Sequence, residues 1–253
     1  MAEFRLEGRT ALVTGGAGGI GLALTRLLLF RGAARVLVVG RDSARIAEVR
    51  AELAGRVETL RADLSDPEEV DGMLAGIPGL APDLSLVVNN AGSQRLTDFG
   101  TGDPVALLPA LRAEIATNFS AVVALSVGLL PLLSRQPSAA ILNVTSGLAL
   151  APKKSSPVYC ATKAGVRSFT QALRYQCEDG LPHVRIVEAL PPLVDTSMTL
   201  GRGRGKMSPE ACAAEIVAGL EAGRDEIFVG KSKLLRAVIR PAPALGRRIM
   251  RNG

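Results

Sequence analysis

One large α/β domain is the fold class that this sequence predicts, and three observations predict it. Short apolar runs of strand length alternate with longer segments of helical periodicity along most of the chain. The first run, residues 9–14, passes through a glycine-rich turn straight into an apolar helix. The 253 residues, 47% apolar and 21% charged, suffice to bury one substantial core, and a second domain is not expected.

The elements follow in order. Residues 14–21 read Thr-Gly-Gly-Ala-Gly-Gly-Ile-Gly and lead into a helix over 20–30. Strand, glycine turn and helix form the context in which a glycine pattern binds a dinucleotide. Gly15 permits the tight turn, Gly19 lets the backbone approach a pyrophosphate, and Gly21 lets helix and strand pack closely. The helix N-terminus then faces the phosphates. Taken alone, the motif is also compatible with a ligand-free loop.

Residues 35–39 form the second strand and end in Gly40-Arg41-Asp42. An acid here holds the adenine ribose hydroxyls, whereas an arginine accommodates a 2′-phosphate, so Arg41 favours NADP over NAD. Asp42 either turns toward the ribose or caps the helix at 43–53. A third strand, 57–60, leads to Asp63-Leu64-Ser65-Asp66-Pro67, where Asp66 and Pro67 start the next helix. Asp63 either touches a ligand or satisfies backbone in a turn.

Residues 78–82 predict a loop, and 84–88 a buried strand ending in Asn89-Asn90-Ala91-Gly92. Small and amide residues at a strand's C-terminal end suit a ligand crevice; a plain turn is the alternative. A long helical region starts at Pro104, with a break expected near Pro109 and continuation over 111–134. Residues 115–134 carry no charge and are long enough to span a bilayer. Thr117, Asn118, Ser120, Ser126 and Pro131 fall inside them, so a buried helix is expected, with Asn118 needing a hydrogen-bond partner.

Strand 140–145 places Ser146 on the same crevice edge as Asn89 to Gly92. No G-x-S-x-G elbow surrounds it, which argues against acyl transfer. A helix over 158–177 carries Tyr159 and Lys163, one turn apart and on one face. A cation about 4 Å from a phenolate stabilises it by roughly 4 kcal/mol at an effective dielectric near 20. That is about 3 pK units below a starting value near 10, which poises the tyrosine for acid/base work. Strand 183–189, a mobile loop over 197–207, a helix over 209–222 and a short strand at 226–229 complete the sheet. The loop's basic residues either stay solvated or meet an anionic substrate.

The net charge of +6 is a property of the tail. Seven of the 30 basic residues lie in 231–253 with no acid, leaving 23 against 24 acids, or −1, over 1–230. A 3% aromatic content argues against a single-stranded nucleic-acid surface. The spacing of three cysteines and one histidine predicts no metal site and suits a reducing cytoplasm. The opening MAEFRLEGRT lacks the apolar core of a secretory signal.

Together, Thr14-Gly15-x-x-x-Gly19-Ile20-Gly21, Asp63, Asn89-Asn90-Ala91-Gly92, Asn118, Ser146 and Tyr159-x-x-x-Lys163 resemble, in order and spacing, the classical short-chain dehydrogenase/reductases over nearly the full chain. The resemblance implies a single-domain Rossmann fold, a doubly wound seven-stranded parallel sheet with helices on both faces. Residues 1–230 would form the dinucleotide-binding and catalytic domain, and 231–253 its basic apolar tail. It implies that Tyr159 exchanges a proton with a carbonyl or alcohol while hydride passes to or from nicotinamide. Lys163 would tune Tyr159 and bond the nicotinamide ribose, Ser146 would polarise the substrate oxygen, and Asn118 would anchor a relaying water. Thr14, Gly15, Gly19, Ile20, Gly21, Arg41, Asp63, Leu64, Asn90, Ala91, Gly92 and Thr196 would contact NADP(H), with NAD(H) as the lesser choice.

Where the family has Pro-Gly this chain has Pro191-Pro192, which bears on Thr196. Gly16-Ala17-Gly18 also lacks a basic residue, leaving Arg41 as the local argument for NADP. A small, hydrophobic carbonyl or alcohol substrate and a homodimer or homotetramer are expected. The tail is expected over the substrate opening or a neighbouring subunit, with a membrane surface as the lesser alternative. A silent NADP-binding regulator and a membrane-surface reductase of a lipid-like substrate are the competing functions.

Overall fold

The computed structural model describes residues 4–251; the first three residues of the N-terminal stretch and the last two of the tail lie outside it. Seven parallel strands form one sheet in the order β3-β2-β1-β4-β5-β6-β7. They are β1 (Thr10–Thr14), β2 (Arg35–Gly40), β3 (Val57–Arg61), β4 (Leu84–Asn89), β5 (Ala139–Val144), β6 (Val184–Leu190) and β7 (Glu226–Phe228). Every residue of β1, β4 and β5 is buried, as continuous apolar runs in the middle of a sheet covered on both faces require.

Helices α1 (Gly19–Phe30), α2 (Ser43–Glu52) and α7 (Pro209–Glu221) belong to one face. Their core centres on Leu24, Leu28, Val36, Val38, Ile216 and Leu220. Helices α3 (Pro67–Leu80), α5 (Ala121–Leu133) and α6 (Pro157–Gly180) cover the other, around Leu37, Ile77, Leu84, Leu125, Leu129 and Leu173. The order reverses between β1 and β4, so consecutive connections leave toward opposite faces. The C-terminal strand ends therefore part there into a crevice.

Three segments differ from the sequence reading. Helix α3 continues through Pro78 to Leu80, and the stop comes before Pro82, since the residue preceding a proline is pushed out of the helical region. Helix α4 (Pro104–Ile115) runs unbroken through Pro109. The irregularity falls instead at residues Ala116–Ser120, a π-helical turn joining α4 to α5. The whole run Pro104–Leu133 is apolar enough by length and composition to cross a membrane, yet α5 buries Ala121, Val122, Leu125, Ser126, Leu129, Leu132 and Leu133 in the fold.

Nor is 197–207 a free loop. Val194 bridges Met207, the Asp195 amide donates to the Met207 carbonyl at 2.9 Å, and Lys206 Nζ lies 3.0 Å from Asp195 and 2.7 Å from the Thr199 carbonyl. Arg202 reaches out to Gln94 Oε1 at 2.9 Å, and Lys231 from outside the segment donates to the Gly205 carbonyl at 3.0 Å. Arg202 and Lys206, expected to stay solvated or to meet a substrate, instead tie the segment to its surroundings.

The tail forms α8 (Ser232–Ile239) and α9 (Pro243–Met250). They pack on each other where Gly246 leaves room for Ile239, and α8 lies over the end of β5, with Leu235 Cδ2 3.2 Å from where a Gly147 Cβ would stand. The tail thus covers the crevice, one of the places expected for it.

The tightest point is Gly21, where an added Cβ would fall inside the envelope of the Gly15 carbonyl oxygen. Nothing lies within 4 Å of a Cβ added at Gly72, exposed on α3. Gly21→Ala is expected to cost about 2 kcal/mol or more through backbone displacement. Gly72→Ala is expected to gain about 0.5–1 kcal/mol from helix propensity. Urea denaturation of both variants beside the parent checks the contrast.

Candidate active site

The crevice, about 830 Å³ in volume, runs unbroken from Arg41 and Asp63 at one end to Ser146, Tyr159 and Lys163 at the other. Its floor is set by Thr14. The Thr14 hydroxyl accepts the backbone N–H groups of Asn90 and Ala91, each at 3.0 Å, and donates to the Val88 carbonyl at 3.3 Å. Asn90 Nδ2 returns a bond to the Thr14 carbonyl at 3.0 Å, so the ends of β1 and β4 are held at a fixed separation. Beneath them, Asn89 Nδ2 donates to Asn143 Oδ1 at 2.8 Å and to Ser126 Oγ at 3.1 Å, while Asn143 Nδ2 donates to Thr170 Oγ1 at 2.9 Å. This buried relay ties β4 and β5 to α5 and α6 and fixes the edge that carries Ser146.

Gly15 and Gly19 take positive φ, 66° and 51°, and turn the chain from β1 into α1. Gly18 at the N-cap makes no side-chain capping bond and the first turn has no acid, whereas Asp42, Asp66, Asp103 and Ser208 cap α2, α3, α4 and α7. The start of α1 therefore offers free N–H groups to the crevice, the donor set that a pyrophosphate takes. Gly19 and Ile20 line this wall, and Gly21 lets α1 pack against the Gly15 carbonyl.

At the far end Asp42 is a cap, its Oδ1 accepting from Ala44 and Arg45 N–H at 3.1 and 3.2 Å, so it is not turned toward a ribose. The Arg41 side chain is 72% exposed, with Asp63 at 3.9 Å as its nearest acid. Asp63 Oδ1 accepts from the amide and hydroxyl of Ser65, and these bonds hold its carboxyl below the usual range. Asp63 and Leu64 both line the crevice. Arg45, in the first turn of α2, does too, with its guanidinium 3.4 Å from where a Gly18 Cβ would stand. Arg41 precedes the N-cap of α2, so no helical period linked the two arginines in the sequence.

At the catalytic end Lys163 is buried, and its Nζ donates to the Val144 carbonyl at 2.8 Å. Burial brings the ammonium down to about 8. Tyr159, half-buried and facing the crevice, has its phenol pushed up to about 12 by burial, with a bond from Ser146 opposing. The helical spacing led to the opposite expectation, a phenol lowered by its cation. The difference has a physical cause: the Lys163 ammonium turns to a carbonyl and stands 5.8 Å from the centre of the Tyr159 ring, while burial disfavours the phenolate. The tyrosine is thus a protonated acid at neutral pH in the ligand-free protein.

Asn118 sits in the π-helical turn, fully buried. Its Oδ1 accepts the Ser93 amide and its Nδ2 donates to the Ser93 carbonyl, both at 2.8 Å. The extra residue of a π turn brings the amide to this backbone segment. Asn118 and Lys163 flank Gly92, 3.2 and 3.7 Å from the position of an added Cβ. Glu114, one turn earlier, accepts the Arg95 amide at 3.2 Å; burial pushes its carboxyl up. Glu114 escaped the sequence reading because its one charge looked like the polar edge of an apolar helix. Ser146 accepts the Leu148 amide at 3.1 Å through its hydroxyl oxygen, which leaves the hydroxyl proton for another acceptor. Thr196 stands at the crevice wall, its Cγ2 2.9 Å from where a Gly19 Cβ would be, so the Pro191-Pro192 departure still delivers it beside the glycine turn.

Among the described residues no group of three or more histidine, cysteine or acidic side chains could hold a metal ion. Cys160, Cys177 and Cys212 are free and buried.

The profile of the short chain dehydrogenase family matches residues 9–206. An uncharacterized oxidoreductase of Bacillus subtilis (strain 168), DltE, is 37% identical over 243 residues, covering 93% of this chain and 94% of that protein. An NADP-dependent 3-hydroxy acid dehydrogenase of Schizosaccharomyces pombe is 29% identical over 209 residues, covering 79% and 77%. Among solved structures, a short chain dehydrogenase from Burkholderia cenocepacia J2315 in complex with NADP superposes with a TM-score of 0.85 at 28% identity, over 98% of this chain and 99% of that one. With a family match spanning most of the chain and the glycine turn, Ser146, Tyr159 and Lys163 on one crevice, this protein belongs to the short-chain dehydrogenase family of oxidoreductases.

Proposed function

We propose that this oxidoreductase is an NADP(H)-dependent carbonyl reductase or alcohol dehydrogenase acting on a small substrate with a hydrophobic body. The observation that carries the reading is the single crevice joining Arg41 and the uncapped start of α1 to Ser146, Tyr159 and Lys163. NADP(H) supplies the hydride when bound. The pyrophosphate would lie on the α1 N-terminus, the 2′-phosphate beside Arg41 and Arg45, and the adenine near Asp63 and Leu64. Thr14, Asn90, Ala91 and Gly92 would shape the floor under the nicotinamide half, with Thr196 on its other side. The related 3-hydroxy acid dehydrogenase supports the secondary alcohol or its carbonyl as the reacting group.

Each catalytic side chain then has one task. Ser146 donates to the substrate oxygen, where negative charge develops during reduction. Tyr159, protonated at rest, passes its proton to that oxygen, and takes it back in the oxidative direction. The buried Lys163 ammonium lies behind the phenol and favours its anionic form as the proton leaves. Asn118 acts by holding Ser93, and with it part of the crevice wall. The free thiols fit a cytoplasmic location. Val105, Leu108 and Ile115, exposed on α4, and Val127, exposed on α5, fit a homodimer or homotetramer.

Consumption of NADPH with a panel of ketones and aldehydes tests the reading, with NADH in parallel. Tyr159→Phe is expected to lower kcat/KM by about a hundredfold or more. NADPH binding, followed by its fluorescence, separates lost chemistry from lost structure. Arg41→Ser is expected to weaken NADPH about tenfold or more and NADH far less, the loss of one charge-assisted contact. The pH profile gives a third check. Phenol protonation persists to about 12, whereas the Lys163 cation is lost above about 8, so kcat/KM for reduction should be level below pH 8 and fall as pH rises through that value. Enzyme whose activity instead rises through pH 8 does not use a charged Lys163.

A further inference from the structure

The catalytic end of the crevice has a charge pattern that its chemistry does not use. Asp42 and Asp63 are the two acids that line the crevice, and both lie at the far end, beside Arg41 and Arg45. Around Tyr159 the lining is cationic: Lys153, Lys163, Arg204 and Lys231. Lys163 and Lys231 are engaged by the carbonyls of Val144 and Gly205. Lys153 makes no side-chain hydrogen bond or ion pair among the described residues, although it is half-buried.

Lys153 also has a cationic neighbour on a rigid frame. Its backbone is held at α6 by the Cys160 thiol, adjacent to Tyr159, at 3.4 Å. Arg202 reaches in from the tied-down 197–207 segment and donates to Gln94 Oε1 at 2.9 Å. Gln94 in turn donates through Nε2 to Ser156 Oγ at 3.3 Å, just before α6. Burial, and after it the Arg202 guanidinium, hold the Lys153 ammonium below its ordinary range. Lys153 thus stands on the crevice wall as an unpartnered cation among the described residues, and Gln94 on the same wall is tied to a second cation, Arg202, in a frame built of three separate segments.

We propose that Lys153 and Arg202, framed by Gln94, form a subsite for an anionic group, carboxylate or phosphate, on the carbonyl substrate. The inference deepens the reductase reading and rests on it for the identity of the reacting group. The substrate is then amphiphilic: its carbonyl meets Ser146 and Tyr159, its apolar part Leu148, Leu193, Leu235 and Met250, and its charge Lys153 on the crevice wall, with Arg202 held behind Gln94 of that wall. The hydrophobic substrate expected from the sequence describes the middle of such a molecule and misses its end.

Calorimetric titration of the full chain with NADPH present, using hexanoate, hexyl phosphate and 1-hexanol, tests the subsite without needing turnover. At least one anion should bind about tenfold or more tighter than the alcohol, and the tighter of the two names the head group. Lys153→Gln and Arg202→Gln should each erase most of that preference, and Lys153→Arg should keep it. Anions that bind no tighter than 1-hexanol, or a preference untouched by both glutamine variants, overturn the proposal. In a parallel assay an oxo acid should be reduced with a KM at least about tenfold below that of its methyl ester, a ratio that Lys153→Gln brings toward one. If no carbonyl is turned over while the anion preference and its loss in the variants hold, the reductase reading fails and the anion subsite stands.

Discussion

The reversal of strand order at β1 and β4 is the constraint on which the rest depends. Connections leaving to opposite faces open a gap at the strand ends, and the gap has to be held at one width. Thr14 does this with three hydrogen bonds from one hydroxyl, and Asn90 closes the circuit. With that spacing set, α1 starts uncapped at the gap, β5 delivers Ser146 to its rim, and α6 brings Tyr159 and Lys163 across from it. The buried amides Asn89 and Asn143 serve the same end from below, because a polar bond between β4, β5, α5 and α6 allows one register where apolar contact alone allows several.

Much of this was legible in the sequence, and what was legible shares a cause. Strands buried on both faces are continuous apolar runs, helices show their period, and the glycine turn is unambiguous once a strand precedes it and a helix follows. Site residues could be placed because a motif fixes chain position, and strand ends fix position in space. Proline was the least reliable guide. Pro78 and Pro109 sit inside helices whose packing outweighs one lost backbone bond, while the real irregularity, at Asn118, carries no helix breaker.

Electrostatics was legible only in outline. The Tyr159 and Lys163 pair followed from spacing, but the sign of the shift depends on how much water the fold removes from each group, and sequence gives no measure of that. Arg45, Lys153 and Arg202 were equally hidden, since each acquires meaning from a partner on another segment. Residues 197–207 show the same limit: glycine and charge suggest mobility until Asp195, Gln94 and Lys231 are in place around them.

The π-helical turn also has a consequence for inheritance. It contains one residue more than an α-helical turn, so losing any single residue from Ala116–Ser120 would restore a regular helix and keep the chain helical throughout. Each residue advances an α-helix by about 100°, so everything before the deletion would swing by that angle relative to α5. Asn118 would leave Ser93, and Val105, Leu108 and Ile115 would in the same event turn away from their present direction. Lineages that retain the shape of the catalytic wall are thereby bound to retain the orientation of the outer helix face, so the two surfaces pass down as one character.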